Sequence, residues 1–208
     1  MRLLIIGAGG HGRVVADAAE RSAAAFVEIA FLDDRYPEIT MAGPWEIIGR
    51  FPELEALGGR FDACISALGE ARTRLSLLER ARLAGFLLPT VIHPHSAVSR
   101  YAHVERGAFV AAGAVVNIGS KLGPGCIVNT GATVDHDCRL AAGVHICPGA
   151  HLAGGVEIGE RSWFGIGAVA RQGVRIGADV TVGAGAVCLE DVRDGATVSG
   201  VPARERPL

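Results

Sequence analysis

Val134-Asp135-His136-Asp137-Cys138-Arg139-Leu140-Ala141-Ala142-Gly143-Val144-His145-Ile146 carries an aliphatic residue at every sixth place. The same beat runs unbroken from Val98 to Cys188, through Val104, Val110, Val116, Leu122, Val128, Leu152, Ile158, Phe164, Ala170, Ile176 and Val182. Four residues after most of these comes a second compact side chain, among them Ala108, Ala114, Ser120, Cys126, Ala132, Cys138, Val144, Ala150 and Val156. A period of six fits neither an α-helix nor one face of an ordinary strand. It fits a parallel β-helix of hexapeptide repeats. In that fold short strands stack into a prism, the repeated apolar residue points inward, and each coil satisfies the backbone groups of the next. Glycines such as Gly159, Gly177 and Gly183 suit the corners, where the chain turns within one or two residues.

Composition agrees with a narrow, ring-poor interior. Glycine makes up 29 of 208 residues, about twice the usual share, and aromatic residues only 5%. The formal net charge of -2 argues against a nucleic-acid binder. No uncharged apolar run approaches the ~18 residues of a membrane span, and Met1-Arg2-Leu3 already reads as the start of a strand. Neither a transmembrane span nor a signal peptide is expected, and the cytoplasm is the expected compartment. Five cysteines without a Cys-x-x-Cys pair point to reduced thiols. Cys126, Cys138 and Cys188 fall where the repeat points inward and behave as small apolar side chains.

Ahead of the repeats the pattern changes. Leu3-Leu4-Ile5-Ile6 reads as a buried strand, followed by Gly7-Ala8-Gly9-Gly10-His11-Gly12 and a helix from Arg13 to about Ala24 with Val14, Val15, Ala18 and Ala19 on one side. Strand, glycine loop and helix form the phosphate-cradling unit of doubly wound folds, in which the helix N-terminus offers free N–H groups to an anion. A second strand, Val27 to Leu32, ends in Asp33-Asp34, and Asp33 stands 21 residues after Gly12, near the place of a dinucleotide ribose acid. Further elements are a weak strand near Glu46–Ile48, a short helix over Pro52–Leu57, a strand from Asp62 to Ala67 and a helix from Ala71 to Ala84. Phe86–Leu88 and Val91–Ile92 close this domain. The expectation is therefore two domains, a small Rossmann-like parallel α/β domain over 1–95 and the β-helix over 96–208, with residues 189–208 leaving the prism. The glycine loop, Asp33-Asp34 and the Gly69 turn all follow strands and gather at one sheet edge, where open α/β folds bind ligands.

Seven histidines compete for a chemical role. His93 and His95 flank a proline at the domain junction and read as structural. His103, His145 and His151 each stand just before an inward residue, so they face outward. His136 differs: it lies two places after Val134, beside Asp137, at an offset that projects away from the interior. A carboxylate beside an imidazole favours its charged form and makes it a better proton acceptor near neutral pH. If three hexapeptides close one coil, residues 18 apart stack about 4.8 Å from one another. Gly154 then lies over His136. Its N–H would face a developing oxyanion while His136 takes a proton, the pair that acyl transfer needs.

Gly7-Ala8-Gly9-Gly10-His11-Gly12, Phe31-Leu32-Asp33-Asp34, Ala67-Leu68-Gly69 with Arg74 after it, Ile92-His93-Pro94, Asn129-Thr130, His136-Asp137 and Gly200-Val201-Pro202-Ala203 span essentially the whole chain. Together they resemble the sugar O-/N-acyltransferases of the sialic acid O-acetyltransferase and PglD-type family. The resemblance implies a left-handed β-helix, a homotrimer with acetyl-CoA as co-substrate in the groove between subunits, and a nucleotide-linked amino sugar held by the N-terminal domain. No metal is implied. His136 matches the general base and Asp137 the acid beside it, where many relatives carry Glu. His145, Gly154, Ile166 and Ala184 align with acetyl-CoA contacts, Ala184 replacing a glycine of some relatives. Gly9, Gly10, His11, Asp33 and Asp34 align with nucleotide-sugar contacts, and Gly69 and Arg74 are expected beside them. The activity implied is N-acetylation of a sugar amine, at C4, of a UDP- or GDP-linked substrate for surface-glycan biosynthesis.

Three other readings stay open on the residues. One is O-acetylation of sialic acid or another sugar hydroxyl. A second is a β-helix zinc enzyme of the carbonic anhydrase type with His136, His145 and His151 as ligands. The third is an NAD-linked regulatory protein, against which stands the size of the N-terminal domain: one mononucleotide half, where NAD binding normally takes two.

Overall fold

The computed structural model describes residues 1–206. The last two positions of the domain expected over 96–208 lie outside the described residues. The N-terminal sheet has the order β3-β4-β2-β1-β5, built from β1 (Arg2–Ile6), β2 (Glu28–Leu32), β3 (Met41–Ala42), β4 (Trp45–Gly49) and β5 (Ala63–Ser66). All pairs are parallel except β3 with β4. The central strand β1 is buried on both faces, Leu3 to Ile6 being fully covered, as its unbroken apolar run requires. Two helices cover the sheet, α1 (Gly10–Arg21) and α2 (Ala71–Leu83). The segment expected as a short helix is two 3₁₀ turns, Phe51–Glu53 and Glu55–Leu57.

The prism follows, built from two-residue strands on three faces. Residues 18 apart pair in parallel throughout, as Val116 does with Val134 and Val134 with Leu152. Its core is the predicted inward row from Val110 to Cys188 with the compact second row, including Cys126, Cys138 and Ala150. All five cysteines are free and buried. Each aliphatic side chain removed from water contributes about 1.5–3 kcal/mol, repeated at every strand. Between strands the chain turns at residues with positive φ, mostly glycine, as at Gly143 with φ 71.

Both ends of the prism lie further out than the sequence reading put them. Val91–Ile92 pairs with Phe109–Val110, so the first coil begins at 91 and not at 96. At the far end Val192 bridges to Ile176 and Thr197–Ser199 pairs with Thr181–Val182, so the segment after Cys188 adds a shortened coil before Arg204–Glu205 turns back antiparallel.

The three faces differ in what they present outward. The first carries Ala97, Val115, Thr133, His151, Val169 and Val187. The second carries His103, Lys121, Arg139, Glu157 and Arg175. The third carries Phe109, Ile127, His145 and Trp163, and the N-terminal domain sits on it: Phe109 and Ile127 share one apolar core with Val15, Ala18 and Ala19 of α1 and Ile5 of β1. Val14, expected on that side of the helix, points out to solvent. Helix α2 packs on the edge between the second and third faces, where Leu75 and Leu78 rest on Gly107, Gly125 and Gly143, so that a Cβ at any of the three would push a leucine aside. No described helix is long and apolar enough to cross a membrane.

Candidate active site

The turn between the first and second faces brings His136, Asp137 and Gly154 together. Asp137 adopts φ 59, a left-handed conformation that Asp tolerates better than most residues. Its carboxylate lies 2.9 Å from His136 Nδ1. Nδ1 therefore holds the proton, and Nε2 keeps its lone pair. The hydrogen bond to Asp137, followed by the charges of Asp135 and Asp137, raises the His136 pKa above the ordinary histidine value. The ring is solvent-accessible, with 58% of its side-chain surface exposed. It lies against Gly154, so that a Cβ there would collide with Nε2 and Cε1. The coils are tied at this point by the Gly155 N–H donating to His136 O at 2.9 Å. Among the described residues the Gly154 N–H has no acceptor.

The coil below holds this turn. Asp135 Oδ1 accepts the His136 N–H and the Asn117 side-chain amide, both at 2.8 Å. Ser120 Oγ donates to Asp135 O at 2.6 Å and accepts the Cys138 N–H at 3.1 Å. The sequence reading quoted Asp135 without assigning it a role and passed over Asn117. The 18-residue step that pairs them was the signal available.

A second group lies under the N-terminal domain. Helix α1 begins at Gly10, three residues earlier than expected, which leaves its first N–H groups at the glycine loop. A Cβ at Gly9 or Gly10 would meet open space, whereas one at Gly12 would strike Gly7 O, the close helix–strand approach only glycine permits. Asp33 is largely committed: it accepts the Ala8 N–H at 2.8 Å and a two-pronged contact from Arg35 at 2.7 and 2.9 Å. Chiefly through Arg35, its pKa is lowered to about 2. Its carboxylate anchors the glycine loop at the place where a nucleotide-sugar contact was expected. Asp34 is exposed and accepts the Phe51 N–H at 3.0 Å.

His145 points away from the prism interior, yet it is only 5% exposed because the N-terminal domain covers it, a correction to the solvent-facing expectation. Its ring stacks on His11 at 6.1 Å and packs on Trp163 at 4.3 Å. The Asn129 amide oxygen accepts the Thr130 N–H at 2.8 Å, so its NH₂ faces His145 Nε2 at 3.2 Å and the proton sits on Nδ1. Burial, then the charge of Arg74, lowers the pKa of His145 to about 3 and of His11 to about 4, so both rings are neutral. A cavity of about 360 Å³ opens beside them, lined by Gly69, Arg72, Arg161 and Trp163.

Arg74, expected beside the substrate contacts, is turned into the seam between the domains. It is fully buried. Its guanidinium donates to the carbonyls of Gly125, Leu68, Gly69 and Gly143 at 2.6–2.9 Å, which joins the Gly69 turn to two prism corners. Ile166 and Ala184 are exposed on the edge between the third and first faces, so within one chain they do not meet His136. Within one chain His136, His145 and His151 lie on an edge and two different faces, and no three potential metal ligands converge among the described residues. The NAD reading loses its ribose acid to Arg35.

A small Rossmann-like domain on a left-handed parallel β-helix, with an imidazole–carboxylate pair over a glycine amide, defines a hexapeptide-repeat acyltransferase. The PglD N-terminal domain model matches residues 2–81, and the bacterial transferase hexapeptide model matches residues 155–189. The chain is 47% identical to the acetyltransferase domain of PglB from Neisseria gonorrhoeae, covering 99% of both chains with a TM-score of 0.95. That domain is also known in complex with acetyl coenzyme A. This chain is also 38% identical to the GDP-perosamine N-acetyltransferase PerB from Caulobacter crescentus, solved with CoA and GDP-perosamine, covering 100% of this chain and 98% of that one with a TM-score of 0.93. No curated protein sequence matches the chain. The chain belongs to the PglD-type family of sugar acyltransferases.

Proposed function

We propose that this protein is an acetyl-CoA-dependent N-acetyltransferase that acetylates the C4 amine of a UDP- or GDP-linked amino sugar for surface-glycan biosynthesis in the cytoplasm. The observation that carries the reading is the corner itself: an imidazole whose Nδ1–H is held by Asp137 and whose Nε2 lies beside the α-carbon of Gly154. Acetyl-CoA would supply an acetyl group on a thiol leaving group, of ordinary pKa about 8.5. His136 Nε2 removes the proton of the attacking amine. Asp137 fixes the tautomer that makes Nε2 the acceptor and steadies the imidazolium that forms. The N–H of Gly154 donates to the carbonyl oxygen as it gains charge. No covalent acyl-enzyme is required.

Self-association as a homotrimer completes the site in this reading. The first face is the uncharged one of the two left uncovered, and exposed Ile166 and Val169 lie at its border and on it. It is flanked by the His136 edge on one side and the Ile166–Ala184 edge on the other. Copies meeting at these edges would bring His136, Asp137 and Gly154 of one subunit to Ile166, Ala184 and His145 of the next, with the nucleotide held by Gly9, Gly10, His11, Asp34 and the Gly69 turn. The test is a panel of UDP- and GDP-linked 4-amino sugars incubated with acetyl-CoA while free thiol is followed. Thiol release dependent on one of these amino sugars is the expected outcome. Release only with sialic acid or a sugar lacking the amine would replace N-acetylation by O-acetylation.

A further inference from the structure

Two carboxylates flank His136, and they do different things. Asp137 touches the ring, whereas Asp135 touches the main chain and is itself held by Asn117, one coil below. At the place equivalent to Asp135 in the coil above stands Ala153, with no side chain to do the same. The turn that Asp135 braces contains the left-handed Asp137; glycine takes the matching position in the neighbouring coils, at Gly119, Gly155 and Gly173. A non-glycine residue in that region costs about 1 kcal/mol or more, so the surroundings must favour it. They do: the Asp137 N–H donates to Ile118 O at 3.0 Å, and Gly119 lacks the Cβ that would strike the Asp137 carboxylate. The Ser120 bonds are a different matter, because Ser162 repeats them at another edge, with Gly177 O and the Val180 N–H. They belong to the prism as such.

We propose that Asn117 and Asp135 form a main-chain clamp that sets the His136–Asp137 turn in its reactive shape, which makes Asp135 a positioning residue for the base. The inference rests on the reading of His136 as that base. Asn117 fixes the rotamer of Asp135, Asp135 fixes the His136 N–H, and the Asp137 carboxylate then falls within reach of Nδ1. The charged groups acting on His136 within the chain are Asp135 and Asp137. The coil below presents Ile118 and the coil above Gly154, neither of which titrates. Asp135 therefore adds a field at the ring in addition to holding its backbone.

The test combines turnover with an NMR titration of the His136 ring in the free protein. Asp135→Ala is expected to lower kcat by about 10- to 100-fold, the scale of an ångström-level misplacement, with the KM for acetyl-CoA within about threefold of wild type. Asp135→Asn keeps the oxygen that accepts both hydrogen bonds and removes the charge. It should restore most of kcat while the acid limb of the pH–rate profile and the NMR pKa of His136 both move to lower pH. Asn117→Ala should lower kcat alone and add nothing in the Asp135→Ala background. Wild-type kcat in Asp135→Ala, an Asp135→Asn enzyme as impaired as Asp135→Ala, or additive losses with Asn117→Ala would each overturn the clamp. An Asp135→Ala protein whose His136 pKa stays put overturns it too, without any substrate, because the clamp then does not hold Asp137 at Nδ1. Full turnover in His136→Ala would instead overturn the base assignment, and the titration would still judge the clamp.

Discussion

The His136 ring has one nitrogen committed to Asp137 and the other open above Gly154. Its pKa is raised, first by that hydrogen bond, and the base works only when neutral. The acid limb of the rate profile should therefore lie above the ordinary histidine value. Asp137→Asn removes the main cause, so the limb should move to lower pH while the plateau falls. A pH–rate profile checks this, and an unmoved limb would mean that some other group titrates there. The position was legible because 136 and 154 differ by one coil of 18, and that arithmetic needs no side-chain geometry. His145 was not legible in the same way. The repeat says only that it points out of the prism, and its burial depends on which face the N-terminal domain covers. The ion pair on Asp33 was not legible either, because Arg35, two residues later, carries no motif.

Helix α2 joins the two domains through the packing of Leu75 and Leu78 and through a buried cation, Arg74. Arg74 has no carboxylate partner among its hydrogen bonds, only four carbonyls from the Gly69 turn and two prism corners. Burial lowers its pKa to about 10, which leaves it charged at neutral pH. Replacing it with leucine strands those carbonyls in a dry seam, at about 1–3 kcal/mol for each that finds no other donor. Urea unfolding of Arg74→Leu should show a loss of about 3 kcal/mol or more; a loss below about 1 kcal/mol would mean that water reaches the seam. The sequence marked Arg74 as notable but not what for, since its partners are backbone atoms remote in the chain. The first prism strand was more accessible: Ile92 stands six places before Val98, in phase, and only the two-residue length of Val91–Ile92 hid it. Past Cys188 the spacing shortens, with Val192 bridging Ile176, and a strict period of six cannot follow it there.

At the scale of the whole molecule the three faces divide the labour. The third is covered by the N-terminal domain, the second carries charges suited to water, and the first remains uncharged between the two edges that bear the expected site residues. One chain therefore holds every part of the proposed site without closing it. Val169→Glu, on the first face, should turn a trimer into monomers in analytical ultracentrifugation and abolish acetyl transfer, with the circular dichroism spectrum unchanged. A fully active monomer would show that each chain works alone. The corner of His136 and Gly154 is tested most directly by kcat of His136→Ala with acetyl-CoA and the preferred nucleotide-linked amino sugar. A fall of about 10²–10⁴ with unchanged thermal unfolding is predicted; turnover at the wild-type rate would contradict it.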